Sequence, residues 1–333
     1  MIGVLGILLS LGLLMYLAYR GLNVLLVAPL LALLATALGG ETRLLAVLSQ
    51  IYMKSLGSFV TGYFALFMLG AILGRLMADS GSASAIARWI VGRLGAQHAV
   101  LAIVLACAVL TYGGVSVLVV IFAAYPVAVA IFRSSNTPKR FIPAAVLLGG
   151  ATFTLSGIPG TPSIQNAMPI AFFGTDSFAA PGVGSIGGLV MFLFGAWWLH
   201  ARARRAAAAG EGYGHHPLDA ADRTAVADEP SLAIAVLPLL VVLAGNVVMT
   251  WWVIPSMDLA YLKDAKFGGG GVNDVRGLWA LVTALGLANL TAIALHWSRW
   301  HDLTRALNEG TLSSMLPIFN TASEIAYGAV IAS

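Results

Sequence analysis

Long apolar runs, separated by short polar or basic segments, are the dominant pattern along this chain. The runs lie at about 2–19, 22–39, 58–78, 99–113, 115–132, 141–157, 183–200, 231–254 and 277–296, and another opens near 311. Since about 20 helical residues cross the hydrocarbon core of a bilayer, most of these runs predict membrane-spanning helices. The pattern therefore predicts an all-α polytopic membrane protein.

Two of the apolar regions are interrupted by glycines, prolines and small polar residues. One interruption lies within 152–169, and the other lies at 110–116, where the runs 99–113 and 115–132 meet. A non-helical backbone survives at membrane depth only inside protein or against a water-filled cavity. Broken membrane segments of this kind are also the best sequence indication of a transporter's binding site. We therefore expect broken helices and re-entrant hairpins here, with 163–182 partly extended or re-entrant.

The interruptions supply most of the candidate substrate-binding residues. These are Thr111, Tyr112, Gly113, Gly114 and Ser116 at the first, and Ser156, Gly157, Pro159, Gly160, Thr161, Ser163, Gln165 and Asn166 at the second. Two other interpretations stay open: the prolines and glycines kink a packed helix, or the small residues allow close helix packing.

A third group of polar residues lies at 317–328 and adds Asn320 and Thr321 to the substrate-binding candidates. Glu324 is an acidic residue within an apolar segment, and such residues are functional hypotheses by default. We expect Glu324 to couple transport to protons. The alternative is a carboxylate that reaches the interface or bonds to Asn320 or Tyr327. Asp79 and Asp176 lie nearer the predicted interfaces, where helix capping is the expected role.

Composition and charge agree with a membrane protein. The chain is 59% hydrophobic and only 10% charged, whereas soluble domains carry about a quarter charged residues. If the loop that holds Arg20 is cytoplasmic, 5 of the 18 basic residues (Arg43, Lys54, Lys263, Lys266 and Arg276) lie outside and the other 13 lie inside, as the positive-inside rule requires. Because the basic residues lie in short loops between spans, we expect no nucleic-acid partner.

Hydropathy also suggests two related halves. Residues 1–205 form a first transmembrane repeat, 206–230 a cytoplasmic linker, and 231–333 a partial second repeat. In the orientation above, the first half starts outside and the second starts inside, which predicts an inverted repeat. The second repeat is expected to be incomplete, because the chain stops at Ser333 before any counterpart of the 152–169 interruption.

The sequence gives little support for thiol chemistry, metal binding or catalysis. The single cysteine, Cys107, lies in an apolar run and is expected to be a small buried hydrophobe. His215 and His216 are adjacent loop residues without a third ligand, so we expect no metal site and no cofactor other than a coupling ion, H⁺ or Na⁺. The chain has no paired aspartates, no His-Glu-x-x-His and no Gly-x-Ser-x-Gly, so we do not expect an enzyme.

Several motifs point to a family. They are Leu-Gly-Ala-Ile-Leu-Gly-Arg-Leu-Met-Ala-Asp-Ser-Gly at 69–81, Ala-Ser-Ala-Ile-Ala at 83–87, Tyr125-Pro126, and Ile-Pro-Gly-Thr-Pro at 158–162. With these motifs the chain resembles, over nearly its whole length, the gluconate:proton symporter (GntP) family of bacterial permeases, within the ion-transporter superfamily. The resemblance implies an inner-membrane, multi-pass secondary transporter of sugar acids or small hydroxy acids, with inverted repeats, two substrate-carrying hairpins and a possible homodimer.

The chain departs from the family pattern at two places. The family usually has an aromatic and acidic cluster where this chain reads Leu-Thr-Tyr-Gly-Gly-Val at 110–115, and a histidine where it has Ile158. Both gluconate and a small hydroxy monocarboxylate therefore stay open as the expected substrate. The leading hypothesis is a proton symporter of small carboxylates that works in the bilayer by alternating access. A sodium-coupled symporter, a channel and an inactive carrier fragment are the alternatives.

Overall fold

The computed structural model describes residues 2–214, 230–267, 269–300 and 302–333, and within these ranges the regular structure is all helical. Two helices contain wide (π) turns, at Val47–Tyr52 in α3 and at Met249–Val253 in α10. The helices are α1 Ile2–Tyr19, α2 Val24–Leu38, α3 Leu44–Asp79, α4 Ser82–Leu94, α5 Ala99–Tyr112, α6 Val117–Ser134, α7 Phe141–Gly150, α8 Ile164–Phe173, α9 Pro181–Ala208, α10 Leu232–Ser256, α11 Val272–Leu295, α12 Leu303–Ser313 and α13 Met315–Ala332.

Five helical stretches among the described residues are long and apolar enough to cross a membrane. They are α3, α9, α10, α11 and the stretch formed by α12 and α13. The pair α4 and α5, bent by 107° at its break, makes a sixth if it is counted as one span. The remaining apolar helices, α1, α2, α6 and α7, are shorter. The all-α polytopic membrane protein predicted from the sequence is confirmed.

The chain forms two compact units, one of residues 1–68 with 312–333 and the other of residues 69–311. In the first unit, α1 packs on α2, and α13 packs on α2 and the start of α3. Two buried hydrogen bonds join these helices: Ser10 Oγ with Tyr327 Oη at 2.6 Å, and Tyr52 Oη with Ser323 Oγ. In each bond a buried tyrosine hydroxyl has a serine hydroxyl as its partner.

Small residues bring the helices of the second unit close together. A Cβ on Gly149 of α7 would lie 2.1 Å from the Val104 carbonyl oxygen of α5. A Cβ on Gly245 of α10 would lie 3.3 Å from the Ala284 Cβ of α11. Van der Waals packing is a main source of helix association in lipid, where no hydrophobic driving force acts between helices, and glycine and alanine permit it. Cys107, on α5, is fully buried as a free cysteine in this packing, as expected.

An ion-pair network fastens α12 to the end of α3 within the second unit. Arg75 donates to Asp79 and to Glu309, each over 2.8 Å, and Glu309 also accepts from Arg305 over 2.7 Å. The expectation that Asp79 caps a helix is therefore wrong. The residue before α4 is Gly81, which has no side chain to cap with, and the Asp79 carboxylate binds a guanidinium instead.

Residues 163–182, which the sequence predicted to be partly extended or re-entrant, combine a helix with a non-helical segment. Most of the first half is a helix, α8, despite Pro169 within it, and only the chain that follows Gly174 is extended or in turns. A helix satisfies its own backbone groups, which explains why α8 forms as soon as the glycine- and proline-rich stretch ends.

The division into two repeats and a linker stays a prediction. α9 runs through the boundary predicted at 205 to Ala208, and much of the linker, 215–229, lies outside the described residues. His215 and His216 lie outside them as well.

Close packing at Gly149 generates a first prediction. Gly149→Ala should force α5 and α7 apart, because the new Cβ has no room beside the Val104 carbonyl. Overpacking typically costs about 1–3 kcal/mol. We expect the apparent Tm of the purified protein in detergent to fall by several degrees. Gly92→Ala, where a Cβ meets open space, is the matched control and should leave the Tm unchanged or raise it. Equal Tm values for the two variants would contradict the prediction.

Candidate functional site

The two predicted interruptions of the chain lie against each other in the second unit. α5 ends at Tyr112 and α6 begins at Val117, and the Tyr112 hydroxyl donates a hydrogen bond to the Pro159 carbonyl over 2.9 Å. Gly114 has a φ of +92°, and a Cβ there would lie 2.7 Å from Pro162 Cγ. Glycine is therefore required at 114 both by backbone conformation and by this contact. Sequence reasoning found both interruptions, and the structure brings them together.

The chain after α8 returns to close the second interruption. The Gly160 N–H donates to the Ser177 carbonyl over 2.7 Å. The Asn166 side-chain amide donates to the carbonyls of Thr161 and Ser177, each over 2.9 Å. Ser177 lies eleven residues after Asn166, so the segment 174–180 runs back beside α8. The segment 158–166 and the returning segment 174–180 thus form a re-entrant structure, which is held by backbone N–H groups and side-chain amides.

α10 contributes a third side to the site. Asn246 is fully buried, and its side-chain amide donates to Ser177 Oγ over 2.9 Å and to the Gly160 carbonyl over 3.3 Å. Thr250, one turn further along, donates to Asn246 Oδ1 over 3.4 Å. We call these connected residues the break cluster: Tyr112, Pro159, Gly160, Thr161, Asn166, Ser177, Asn246 and Thr250.

Four backbone carbonyls of the break cluster have a hydrogen-bond donor. Those of Pro159, Gly160, Thr161 and Ser177 accept from the side chain of Tyr112, Asn246 or Asn166, and Ser177 also from the Gly160 N–H. An unsatisfied backbone group in hydrocarbon costs several kcal/mol. The three polar side chains are therefore what makes a non-helical backbone stable at this position.

Two helices begin at the interruptions without side-chain caps. Ser116 precedes α6 and Ser163 precedes α8, but neither side chain bonds to the helix that follows. Ser163 Oγ donates instead to the Leu155 carbonyl. The first-turn N–H groups of a helix have no intrahelical partners and carry about half a positive charge together. Both helix ends can thus receive the oxygens of an anion.

The other candidate residues of the two interruptions do not all face the cluster. A Cβ on Gly113 would contact Leu239, and one on Gly157 would lie 3.3 Å from Gly188 Cα, so these glycines serve close helix packing. Ser156 and Gln165 are exposed. Thr111 Oγ1 is buried and has no hydrogen-bond partner among the described residues. The substrate-binding role of all these residues stays a prediction.

Sequence reasoning missed Ser177, Asn246 and Thr250. The signal that could have found Asn246 is an amide in the middle of the uninterrupted apolar run 231–254. A buried amide needs partners, and a neighbouring broken segment offers free carbonyls. The run contains Pro238 and Gly245 but no cluster of glycines and prolines, and for that reason its pattern does not indicate a break.

An ion pair lies next to the cluster, and it also corrects an expectation. Asp176 was expected to cap a helix, which is wrong: it accepts from Arg276 at the start of α11 over 3.3 Å and from the Phe178 N–H over 2.9 Å. The ring centroids of Phe178 and Trp251 lie 5.1 Å apart. A Cβ on Gly160 would collide with the Phe178 ring. The nearest fixed charges are therefore already paired.

Asn320, Thr321 and Glu324 lie on α13, in the first unit. Glu324 is exposed on that unit, and no hydrogen-bond or ionic partner lies against it in the described part of the chain. The alternative of a bond to Tyr327 is not observed, since Tyr327 bonds to Ser10. Asn320 Oδ1 is buried without a described partner. Among the residues that the structure describes, no group of three His, Cys, Asp or Glu side chains is placed to hold a metal ion.

The contacts of Asn246 generate a second prediction. Asn246→Leu and Ser177→Ala should each reduce transport at least tenfold, because each leaves a buried polar group without its partner, at about 1–3 kcal/mol. The double variant should be no worse than Asn246→Leu alone, since the two residues share one bond. Initial uptake rates and Tm values of the four proteins measure this.

Asn289→Leu is the matched control for that cycle. Asn289 is also a largely buried asparagine in an apolar helix, but it donates to the Leu69 carbonyl, outside the break cluster. Its effect should add to that of Ser177→Ala. Full additivity between Asn246→Leu and Ser177→Ala would show that the bond does not couple the two residues.

Known proteins that are similar in sequence to this chain are described as permeases or transporters. The family model described as GntP family permease matches residues 2–263. A protein of Bacillus subtilis (strain 168) named "Uncharacterized transporter YxjC" is 40% identical over 339 residues, which cover 98% of this chain and 72% of that relative. An "Uncharacterized transporter" of Haemophilus influenzae is 30% identical over 129 residues, which cover 38% of this chain and 29% of that relative. No solved structure matches. The chain thus belongs to the GntP permease family of transporters.

Proposed function

We propose that this protein is a secondary active transporter of small organic anions, sugar acids or hydroxy monocarboxylates, which it carries with protons by alternating access. Its expected location is the bacterial inner membrane. The observation that carries the proposal is the break cluster: two chain interruptions that meet, two uncapped helix N-termini, and no unpaired cationic side chain among the cluster residues. Membership of a permease family supports transport as the general activity.

The strength of such a site suits a carrier. A helix N-terminus contributes about 0.3–2 kcal/mol to a nearby anion, and a hydrogen bond about 0.5–1.5 kcal/mol. Two helix ends and two hydrogen bonds therefore supply roughly 2–7 kcal/mol. A dissociation constant of 1 mM corresponds to about 4 kcal/mol, so binding in the millimolar range or somewhat tighter is expected. A carrier must release its substrate, and binding of this strength permits release.

The state of the carbonyl groups supports an anion site in the break cluster rather than a sodium site. A sodium site in a broken helix uses free carbonyl oxygens. In the break cluster the carbonyls of Pro159, Gly160, Thr161 and Ser177 already accept hydrogen bonds, whereas the N-termini of α6 and α8 have no side-chain cap. The cluster is thus better suited to an anion than to a cation. Glu324 is our candidate for the proton-coupling residue, and Asn320 and Thr321 near it are further candidates for substrate contact.

A third prediction tests the transport activity. Purified protein in proteoliposomes should accumulate a labelled carboxylate, with gluconate and 3-hydroxybutyrate as probes, when the interior is made alkaline, and a protonophore should abolish the accumulation. Liposomes without protein are the control. Accumulation driven only by an imposed sodium gradient would favour the sodium-coupled alternative. Large single-channel currents would instead indicate a channel.

A fourth prediction concerns Glu324. Glu324→Gln should remove pH-driven accumulation and leave exchange of internal for external substrate intact, because glutamine keeps the shape of the side chain but cannot release a proton. The measurement is uptake with and without a pH gradient. Asp258→Asn, in the exposed loop after α10, is the matched control and should behave as the unaltered protein does. If pH-driven accumulation is unchanged in Glu324→Gln, Glu324 does not couple transport to protons and its role is structural.

A further inference from the structure

A groove with basic side chains lies at one end of α9, in the second unit and away from the break cluster. It has a volume of about 440 Å³ and lies between the start of α5, the loop after α6 and the last turns of α9. Its polar lining includes His98, His200, Arg204, Gln97 and Thr137, and Trp197 forms part of its apolar wall. By the distribution of basic residues, this end of α9 is the cytoplasmic one.

Arg204 supplies the fixed charge among the residues that line the groove. No acidic side chain is among the described residues that line it. Arg204 has no ionic or hydrogen-bond partner in the described part of the chain. Other arginines nearby are engaged: Arg202 lies over the Trp198 ring at 4.9 Å, and Arg140 pairs with Glu211 over 2.6 Å. Within the described residues, the groove therefore presents a positive charge without a counter-charge at the expected membrane surface.

An apolar stripe on α9 leads directly into the groove. Successive spacings of four, three, four, three and four residues place its members on one helical face. The stripe consists of Ile186, Val190, Leu193 and Trp197, followed by His200 and Arg204. The four apolar side chains are between 55% and 66% exposed. At about 1.5 Å per residue the stripe from Ile186 to Trp197 is about 16 Å long, which matches half of a hydrocarbon core of about 30 Å.

We propose that this groove binds the headgroup of an anionic phospholipid of the cytoplasmic leaflet, with one acyl chain lying along the apolar stripe of α9. Arg204 donates to the phosphate oxygens, and His200 and His98 provide further nitrogen atoms at the rim. Trp197 lies between headgroup and chain, where tryptophan is enriched in membrane proteins. Basic pockets between helices on the cytoplasmic side are the usual form of such lipid sites.

The same features select among ligands. A zwitterionic lipid carries an ammonium group, for which the groove offers no acidic partner. Free phosphate would use Arg204 but would leave the apolar stripe without a function. An anionic glycerophospholipid uses both parts. This site is independent of the proposed transport function, since none of its lining residues belongs to the break cluster.

The fifth prediction tests the lipid site by native mass spectrometry. Purified protein is incubated with equal amounts of phosphatidylglycerol and phosphatidylcholine with identical acyl chains. The unaltered protein should retain phosphatidylglycerol preferentially. Arg204→Gln should reduce its retention about fivefold, the contribution of one basic residue near a membrane surface. Arg205→Gln, which removes a neighbouring arginine outside this groove, is the matched control and should change retention by less than about twofold.

Two arms of the experiment separate the sources of the signal. Millimolar inorganic phosphate should not displace phosphatidylglycerol; if it does so fully, the groove is a site for soluble anions and the proposal is wrong. Equal retention of lipid by Arg204→Gln and Arg205→Gln would also overturn it, as would a dimer that binds no phosphatidylglycerol, because a second copy would then cover the stripe.

Discussion

A non-helical backbone inside a membrane protein must find hydrogen-bond partners, and the structure of residues 110–180 depends on this constraint. The carbonyls of Pro159, Gly160 and Thr161 at the break accept from three side chains of three helices: Tyr112 of α5, Asn246 of α10 and Asn166 of α8. Each of these side chains replaces a bond that a continuous helix would have made with itself. The break is therefore a built feature of the fold rather than a kink in a packed helix.

The same bonds connect the two interruptions into one structure. Tyr112 precedes the first interruption and bonds to the second, and Gly114 allows Pro162 to approach. In the proposed mechanism, this connection makes the uncapped ends of α6 and α8 move together as access changes. A site made of dipoles and amides needs no buried cation, so the apolar surroundings carry no uncompensated charge when the substrate leaves.

Charge is instead placed at the edges of the second unit. The pair Arg276–Asp176 lies beside the break cluster, and the network around Arg75 joins α3 to α12. Arg204, at the end of α9, has no ionic partner among the residues that the structure describes. In the orientation predicted from the basic residues, the first is an outer feature and the other two are inner ones. The proposed lipid site would hold the end of α9 at the membrane surface without contact with the substrate path.

The sequence by itself determined the helices and the two interruptions, because apolar runs of about 20 residues and clusters of glycine and proline are local signals. It also indicated the family, through motifs such as 69–81. Only the tertiary structure decided which polar groups meet. Asn246 and Ser177 lie 69 residues apart in the chain. Nothing local tells which distant group a buried asparagine will bond to: Asn246 bonds to Ser177 and Gly160, whereas Asn289 bonds to the Leu69 carbonyl. Hydrogen-bond satisfaction in the membrane is a property of neighbouring helices, and it becomes visible only when they are packed.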